Sequence, residues 1–230
     1  MPTLAEKILD YNLHLRFNLP LPPGYAVLNP YHHLPETKEV MEHFYRKYYD
    51  DSSTRKFIIG INPSRHGAGV TGVPFTDTKR LESACGIPMH SAHTHEISSV
   101  FMYDMIAALG GPTSFYAQFY INSPFPLAIV KTTANGQALN ANYYDDPQLF
   151  QAVKPFMLCA MEAHFSLGLN RNEVYILGKK NADFLLRLNR EARWFDKAVV
   201  LDHPRYIQQY RSKYKEEYIA QYASALLNAD

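Results

Sequence analysis

The chain has 230 residues, 47% hydrophobic and 20% charged, which is enough apolar material for a well-buried core and predicts one globular domain over 1–230. Its net charge of +1 excludes a globally basic field for nucleic acid, so any phosphate contact must come from a local patch. Cys85 and Cys159 are too few for a disulfide framework, a four-cysteine zinc site or an iron–sulfur cluster.

No apolar run approaches the length of a membrane span, and the start, MPTLAEKILDYN, lacks the basic and apolar regions of a signal peptide. The expectation is a cytoplasmic protein with reduced thiols and no membrane contact. Leu4, Ile8, Tyr11 and Leu15 recur at helical spacing, and LPLPPGY then breaks the pattern, predicting a helix and an extended connection. A second helical face, Val40, Met41, Phe44 and Tyr48, runs within Glu36 to Tyr49. DDSSTRK turns the chain into Lys56-Phe57-Ile58-Ile59, an apolar run of strand length.

The next stretch, Gly60 to Asp77, reads GINPSRHGAGVTGVPFTD. Its glycines allow tight turns and close approach of a ligand to the main chain, while Pro63 and Pro74 stiffen it. This cradle begins where a strand ends, the usual place of a pocket in an open α/β sheet. Lys79 to Cys85 reads as a short helix, GIPMHSAHTHE as a histidine-rich loop, and Ser98 to Leu109 as a helix stopped at Gly110-Gly111-Pro112.

Gln118 to Ser123, QFYINS, predicts a second strand with SPFPL at its carboxyl end, and residues 131–146 read as polar and irregular. Pro147 to Leu167 predicts a long amphipathic helix, Val174 to Leu177 a third strand, Lys179 to Glu191 a helix and Ala198 to Leu201 a fourth strand. This alternation argues an α/β fold, a parallel sheet covered by helices on both faces. HPRYIQQYRSKYKEEYIAQYASALL then predicts a terminal helix in which Tyr206, Tyr210, Tyr214, Tyr218 and Tyr222 recur every four residues. At about 40° of drift per step the stripe winds partly round the helix, so some of these rings must be exposed. Arg205, Arg211, Lys213 and Lys215 near its start suit either phosphate contacts or a solvated face.

Three loops at strand ends, GINPSRHGAGVTGVPF, INSPFPL and DHPRY, together resemble the uracil-DNA glycosylase superfamily, most closely its single-strand-selective monofunctional (SMUG) branch. In that branch the first motif has the form GMNPGPFGMAQTGVPFG, and this chain keeps its Gly-x-Asn-Pro start and Thr-Gly-Val-Pro-Phe end at the same spacing. LPLPPGYAVLNPY resembles the segment before the family's first strand, so the likeness covers nearly the whole chain. The resemblance implies a three-layer α/β/α sandwich around a four-stranded parallel sheet, a monomer without cofactor, and DNA bearing a damaged base, single- or double-stranded, as partner.

It also implies roles. Asn62 matches the asparagine that positions the attacking water, and His203 the histidine that hydrogen-bonds a uracil carbonyl oxygen as it becomes anionic; these are the expected catalytic pair. Phe75 matches the ring that stacks on the flipped base, Asn122 the amide that reads its edge, and the backbone at Ile61 and Asn62 supplies further donors. Ser64-Arg65-His66 replaces Gly-Pro-Phe of the family motif and is assigned to phosphate or pocket contacts. The family's His-Pro-Ser-Pro-x-Asn wedge motif becomes His203-Pro204-Arg205-Tyr206, so Arg205 or Tyr206 is expected to fill the gap left by the flipped nucleotide, with Arg211 in the DNA-binding set.

The function implied is monofunctional excision of uracil or a related base, initiating base excision repair, without a lyase step because no lysine stands in a motif position. A non-catalytic nucleic-acid-binding protein that keeps the fold is the alternative, and hydrolysis of a free nucleoside a third reading. The run His90, His93, His95 and Glu96 does not have a standard zinc spacing, and no metal site is expected. Neither cysteine has a basic partner in the sequence that would make it a nucleophile.

Overall fold

The structure, a computed structural model, describes residues 2–227; Met1 and residues 228–230 of the expected domain lie outside them. Helix α1 (Leu4–His14) starts at a capping box formed by Thr3 and Glu6. Strand β1 (Tyr25–Leu28) leads through α2 (Pro30–His33) and α3 (Pro35–Tyr49) to β2 (Lys56–Ile59). The cradle contains one turn of helix, α4 (Ala68–Thr71), and is followed by α5 (Thr78–Cys85), α6 (Ile97–Ala108), α7 (Gly111–Tyr116) and β3 (Phe119–Asn122). A hairpin of β4 (Ala128–Thr132) and β5 (Ala138–Ala141) precedes α8 (Pro147–Ser166). The chain ends with β6 (Glu173–Leu177), α9 (Lys179–Ala192), β7 (Lys197–Leu201), α10 (Pro204–Tyr210) and α11 (Lys215–Leu227).

Four strands form a parallel sheet in the order β3-β2-β6-β7, flanked by helices. Phe57, Ile58 and Ile59 of β2 and Val174 to Leu177 of β6 are buried, as central strands covered on both faces require. From β2 the chain steps one way to β3 and the other way to β6, so the crevice of an open sheet lies at the carboxyl end of β2. Among the described residues no helix is long and apolar enough to cross a membrane.

Two expectations need correction. Residues 131–146 are not irregular: β4 and β5 pair antiparallel and, with β1, form a second sheet of order β1-β4-β5. The turn between them has Gly136 at φ +78°, and the strands are only five and four residues long without a regular alternation of buried and exposed residues, which hid their pattern. The terminal helix is also interrupted. Arg211 ends α10, a 3₁₀ turn spans Ser212–Tyr214, and α11 then buries Tyr222 while Tyr210 and Tyr214 stay exposed.

The start of β2 is pinned by a buried guanidinium. Arg55 donates through Nε to the Tyr116 carbonyl at 2.8 Å and through its two other nitrogens to the Asp51 carboxylate at 3.0 and 2.7 Å. These bonds hold the Asp51 carboxyl down at about 2. Because the Asp51 carboxylate is 46% exposed, water screens the pair, and Asp51→Asn is expected to cost about 1 kcal/mol at pH 7. A folded-state value below the unfolded one of about 3.9 means that this contribution is full above about pH 4 and is lost as the pH falls towards 2. Urea midpoints of wild type and variant should therefore converge over that interval.

Candidate active site

The cradle is built on a close approach of two residues. Gly60 extends β2 by donating its N–H to the Asn122 carbonyl at 2.7 Å. A Cβ at Gly60 would stand 2.9 Å from the Phe75 ring, so only glycine lets that ring lie against the strand end. Phe75 itself sits at φ +53°, a left-handed conformation that costs a non-glycine residue about 1–2 kcal/mol. Thr71 stabilises the turn: its hydroxyl donates to the Thr76 carbonyl at 2.6 Å and accepts the Val73 N–H at 3.2 Å. From the N-terminal helices, Thr37 donates to the Val70 carbonyl at 2.6 Å and Tyr31 to that of Gly72 at 3.2 Å, which ties α4 down.

Asn62 is held by the hairpin. Its Nδ2 donates to the Ala141 carbonyl at 3.0 Å, and its Oδ1 accepts the Tyr143 N–H at 3.1 Å. A backbone N–H can only donate and a carbonyl only accept, so the polarity of the amide is fixed and one Oδ1 lone pair remains for a further donor. The support runs deeper. The buried Tyr143 hydroxyl donates to Asn181 Oδ1 at 2.7 Å, and Asn181 Nδ2 donates to the Gly60 carbonyl at 3.0 Å, two residues before Asn62.

Asn122 is fixed by a closed ring of bonds. Its Oδ1 accepts the Ser123 N–H at 2.9 Å, and its Nδ2 donates to the Tyr120 hydroxyl at 2.7 Å. That hydroxyl faces His164 Nδ1 at 3.3 Å, and His164 Nε2 faces the Ser123 carbonyl at 3.2 Å. Burial lowers the His164 pKa to about 3, so the ring is neutral; with Nε2 protonated towards the carbonyl, each donor in the circuit has one acceptor.

His203 caps α10, its Nδ1 accepting the Arg205 N–H at 3.1 Å. The proton of the neutral ring therefore resides on Nε2. Burial, aided by the Arg205 charge, lowers its pKa to about 4, so at neutral pH it is an uncharged donor. Its ring centroid lies 5.8 Å from that of Phe75.

These groups meet in one concave region at the carboxyl end of β2. Ile61, Asn62, Ser64, Phe75 and Asn122 line one cavity; Asn62, Ser64 and Phe75 also line the adjoining one with His203 and Arg205. His66 borders a neighbouring recess with Arg205, while Arg65 donates its backbone N–H to Asn140 of β5 at 3.0 Å. Tyr206 and Arg211 do not reach the cavity: Arg211 Nε donates to the Tyr206 hydroxyl at 3.0 Å on the exposed face of α10.

The structure adds a group that the sequence pattern did not mark. Glu96 lines both cavities, beside Asn62 and Phe75, and burial pushes its carboxyl up to about 7. Among the described residues no cluster of His, Cys, Asp and Glu is arranged to hold a metal ion. Tyr143, His164 and Asn181 were likewise invisible as site residues, since each acts on the pocket through a partner distant in the chain, and Tyr120, two residues from Asn122, reads as one more apolar strand residue.

The family model of the Uracil DNA glycosylase superfamily matches residues 46–227. Among solved structures, that described as the crystal structure of WT Pedobacter heparinus SMUG2 is similar, with 43% sequence identity, a TM-score of 0.96 and 100% of both chains covered. No curated protein matches the chain. With the parallel sheet, the strand-end loops and the convergence of Asn62, Phe75, Asn122 and His203, these matches establish that the chain belongs to the uracil DNA glycosylase superfamily.

Proposed function

We propose that the protein is a monofunctional DNA glycosylase that takes uracil, or a related damaged base, out of the DNA stack and hydrolyses its N-glycosidic bond. The observation that carries this reading is the convergence, at one strand end, of an aromatic face, two amides of fixed polarity and a neutral imidazole N–H. Breaking the bond builds positive charge on the sugar and negative charge on the base, so catalysis requires stabilising both and delivering water. Phe75 stacks on the extruded ring. His203 Nε2–H bonds the uracil carbonyl oxygen that gains charge, and being neutral it keeps its proton instead of giving it up. The free lone pair of Asn62 Oδ1 orients the water. No lysine lines either cavity among the described residues, which supports hydrolysis without a Schiff-base step.

The polarity of Asn122 supports uracil over cytosine. Oδ1 still has a lone pair for the uracil N3–H, and Nδ2 a hydrogen for O4; cytosine presents the opposite pattern at both positions. The Tyr120–His164–Ser123 circuit is what keeps the amide from turning over.

Incubation with an oligonucleotide carrying one uracil, followed by alkaline cleavage of abasic sites, tests the reading. Asn62→Ala and His203→Ala are each expected to slow single-turnover excision by about 10²- to 10³-fold, the usual effect of losing one preorganised group at a developing charge. Intact uracil-containing DNA after prolonged incubation with wild type would leave the non-catalytic alternative. Tyr120→Phe, which removes the acceptor for Asn122 Nδ2, should lower the preference for uracil over cytosine about tenfold, as read on paired oligonucleotides. Arg205 borders the pocket whereas Tyr206 is engaged by Arg211. Arg205→Ala is therefore expected to slow excision from duplex DNA by about tenfold or more and from single strands less, and Tyr206→Ala to have the smaller effect.

A further inference from the structure

Glu96 stands at the N-cap of α6, yet its side chain makes no capping bond. Instead its backbone is clamped. Its N–H donates to the buried Asp77 Oδ2 at 2.8 Å, and the Ser99 hydroxyl lies 2.7 Å from both that oxygen and the Glu96 carbonyl, with one proton to share between them. The carboxyl group so placed enters the wall of the pocket. A Cβ on Gly67 would lie 2.3 Å from Glu96 Oε2, so this glycine of the cradle is what leaves the carboxylate its space. Oε2 is buried and has no hydrogen-bond partner among the described residues. A carboxylate oxygen buried without a donor is costly in its charged form and cheaper protonated, so this group is disposed to take up a proton.

We infer that Glu96 is the general base of the reaction, taking a proton from the water that Asn62 Oδ1 orients. The inference rests on the glycosylase reading and deepens it. Asn62 is an amide and cannot accept a proton at neutral pH, whereas Glu96 lines the same two cavities and can. The electron pair of the water oxygen forms the new bond to the sugar C1′. The C1′–N bond breaks with its electrons going to the base, which leaves as an anion hydrogen-bonded to His203. One water proton passes to Glu96, which returns it to solvent, and the base takes a proton from solvent after release.

The charges facing Glu96 come from several elements. Asp77, at the start of α5, pushes its carboxyl in the same direction as burial; the hydroxyls of Ser64 in the cradle and Ser98 on α6, and the Arg205 guanidinium on α10, oppose that rise. Farther round the recess are His66, His95 and His203, the first and last with values lowered mainly by burial. Glu96 is thus poised to change charge near neutrality, where a base is most effective.

Single-turnover excision from a uracil-containing oligonucleotide, measured from pH 5 to 9 with enzyme in excess, tests the assignment. The wild-type rate should rise with pH through about 7 and level off. Glu96→Gln should lose about 10²- to 10⁴-fold and the rising limb with it, while oligonucleotide affinity by fluorescence anisotropy stays within about threefold. Glu96→Asp, which keeps a carboxylate, should keep the limb at a lower rate. A Glu96→Gln enzyme that retains the limb, or a rate within about threefold of wild type, overturns the role of Glu96 while leaving the glycosylase reading intact. A flat wild-type profile overturns it without any variant. Wild-type protein that leaves uracil in place overturns both.

Discussion

The site depends on one contact, the Phe75 ring laid against the Cα of Gly60. That contact sets how close the cradle returns to the strand from which it departed, and with it the position of the ring in the cavity it lines with Asn62 and Asn122. It is bought with a strained backbone, since Phe75 occupies a left-handed conformation where no side chain larger than hydrogen is at ease. The strain persists because its surroundings leave no alternative. Thr71 spans the turn on one side, and Tyr31 and Thr37 grip the preceding helical turn on the other. A residue in such a conformation belongs where shape is worth more than stability.

A second principle is the fixing of amide polarity by main-chain groups. An asparagine side chain is nearly symmetric in shape but opposite in chemistry at its two ends, so free rotation would make it useless for reading a base or aiming a water. Here each amide has its oxygen assigned by a peptide N–H, Tyr143 for Asn62 and Ser123 for Asn122. Each nitrogen is assigned by an acceptor, the Ala141 carbonyl and the Tyr120 hydroxyl. His203 is treated alike, the Arg205 N–H choosing its tautomer. Such groups need not reorganise when charge develops, which is where preorganised dipoles gain their advantage over water.

Much of this was legible in the chain because the relevant information is local. The strand preceding Gly60, the glycine and proline content of the cradle, and the positions of Asn122 at the end of one apolar strand and His203 just beyond another all lie within short windows. The β1-β4-β5 sheet was missed for the opposite reason. Its strands are four or five residues long and partly exposed, too short to show a period, so their pairing shows only when β1, about a hundred residues away, is brought alongside; Asn135-Gly136 was the one local hint. Glu96 was passed over because a carboxylate after three histidines suggests a metal before it suggests a pocket wall. What places it, the clamp from Asp77 and the room left by Gly67, is tertiary. The break at Arg211 was masked by the regular tyrosine spacing, which continues across it.

The hairpin that grips Asn62 ends in β5, an edge strand of its sheet, on which Leu139 is exposed. Edge strands open more readily than buried central ones, and local opening precedes cooperative melting. Fraying of β5 would release Asn62 while β2 and β6 remained packed. Warming would then disturb the amide before it melts the parallel sheet.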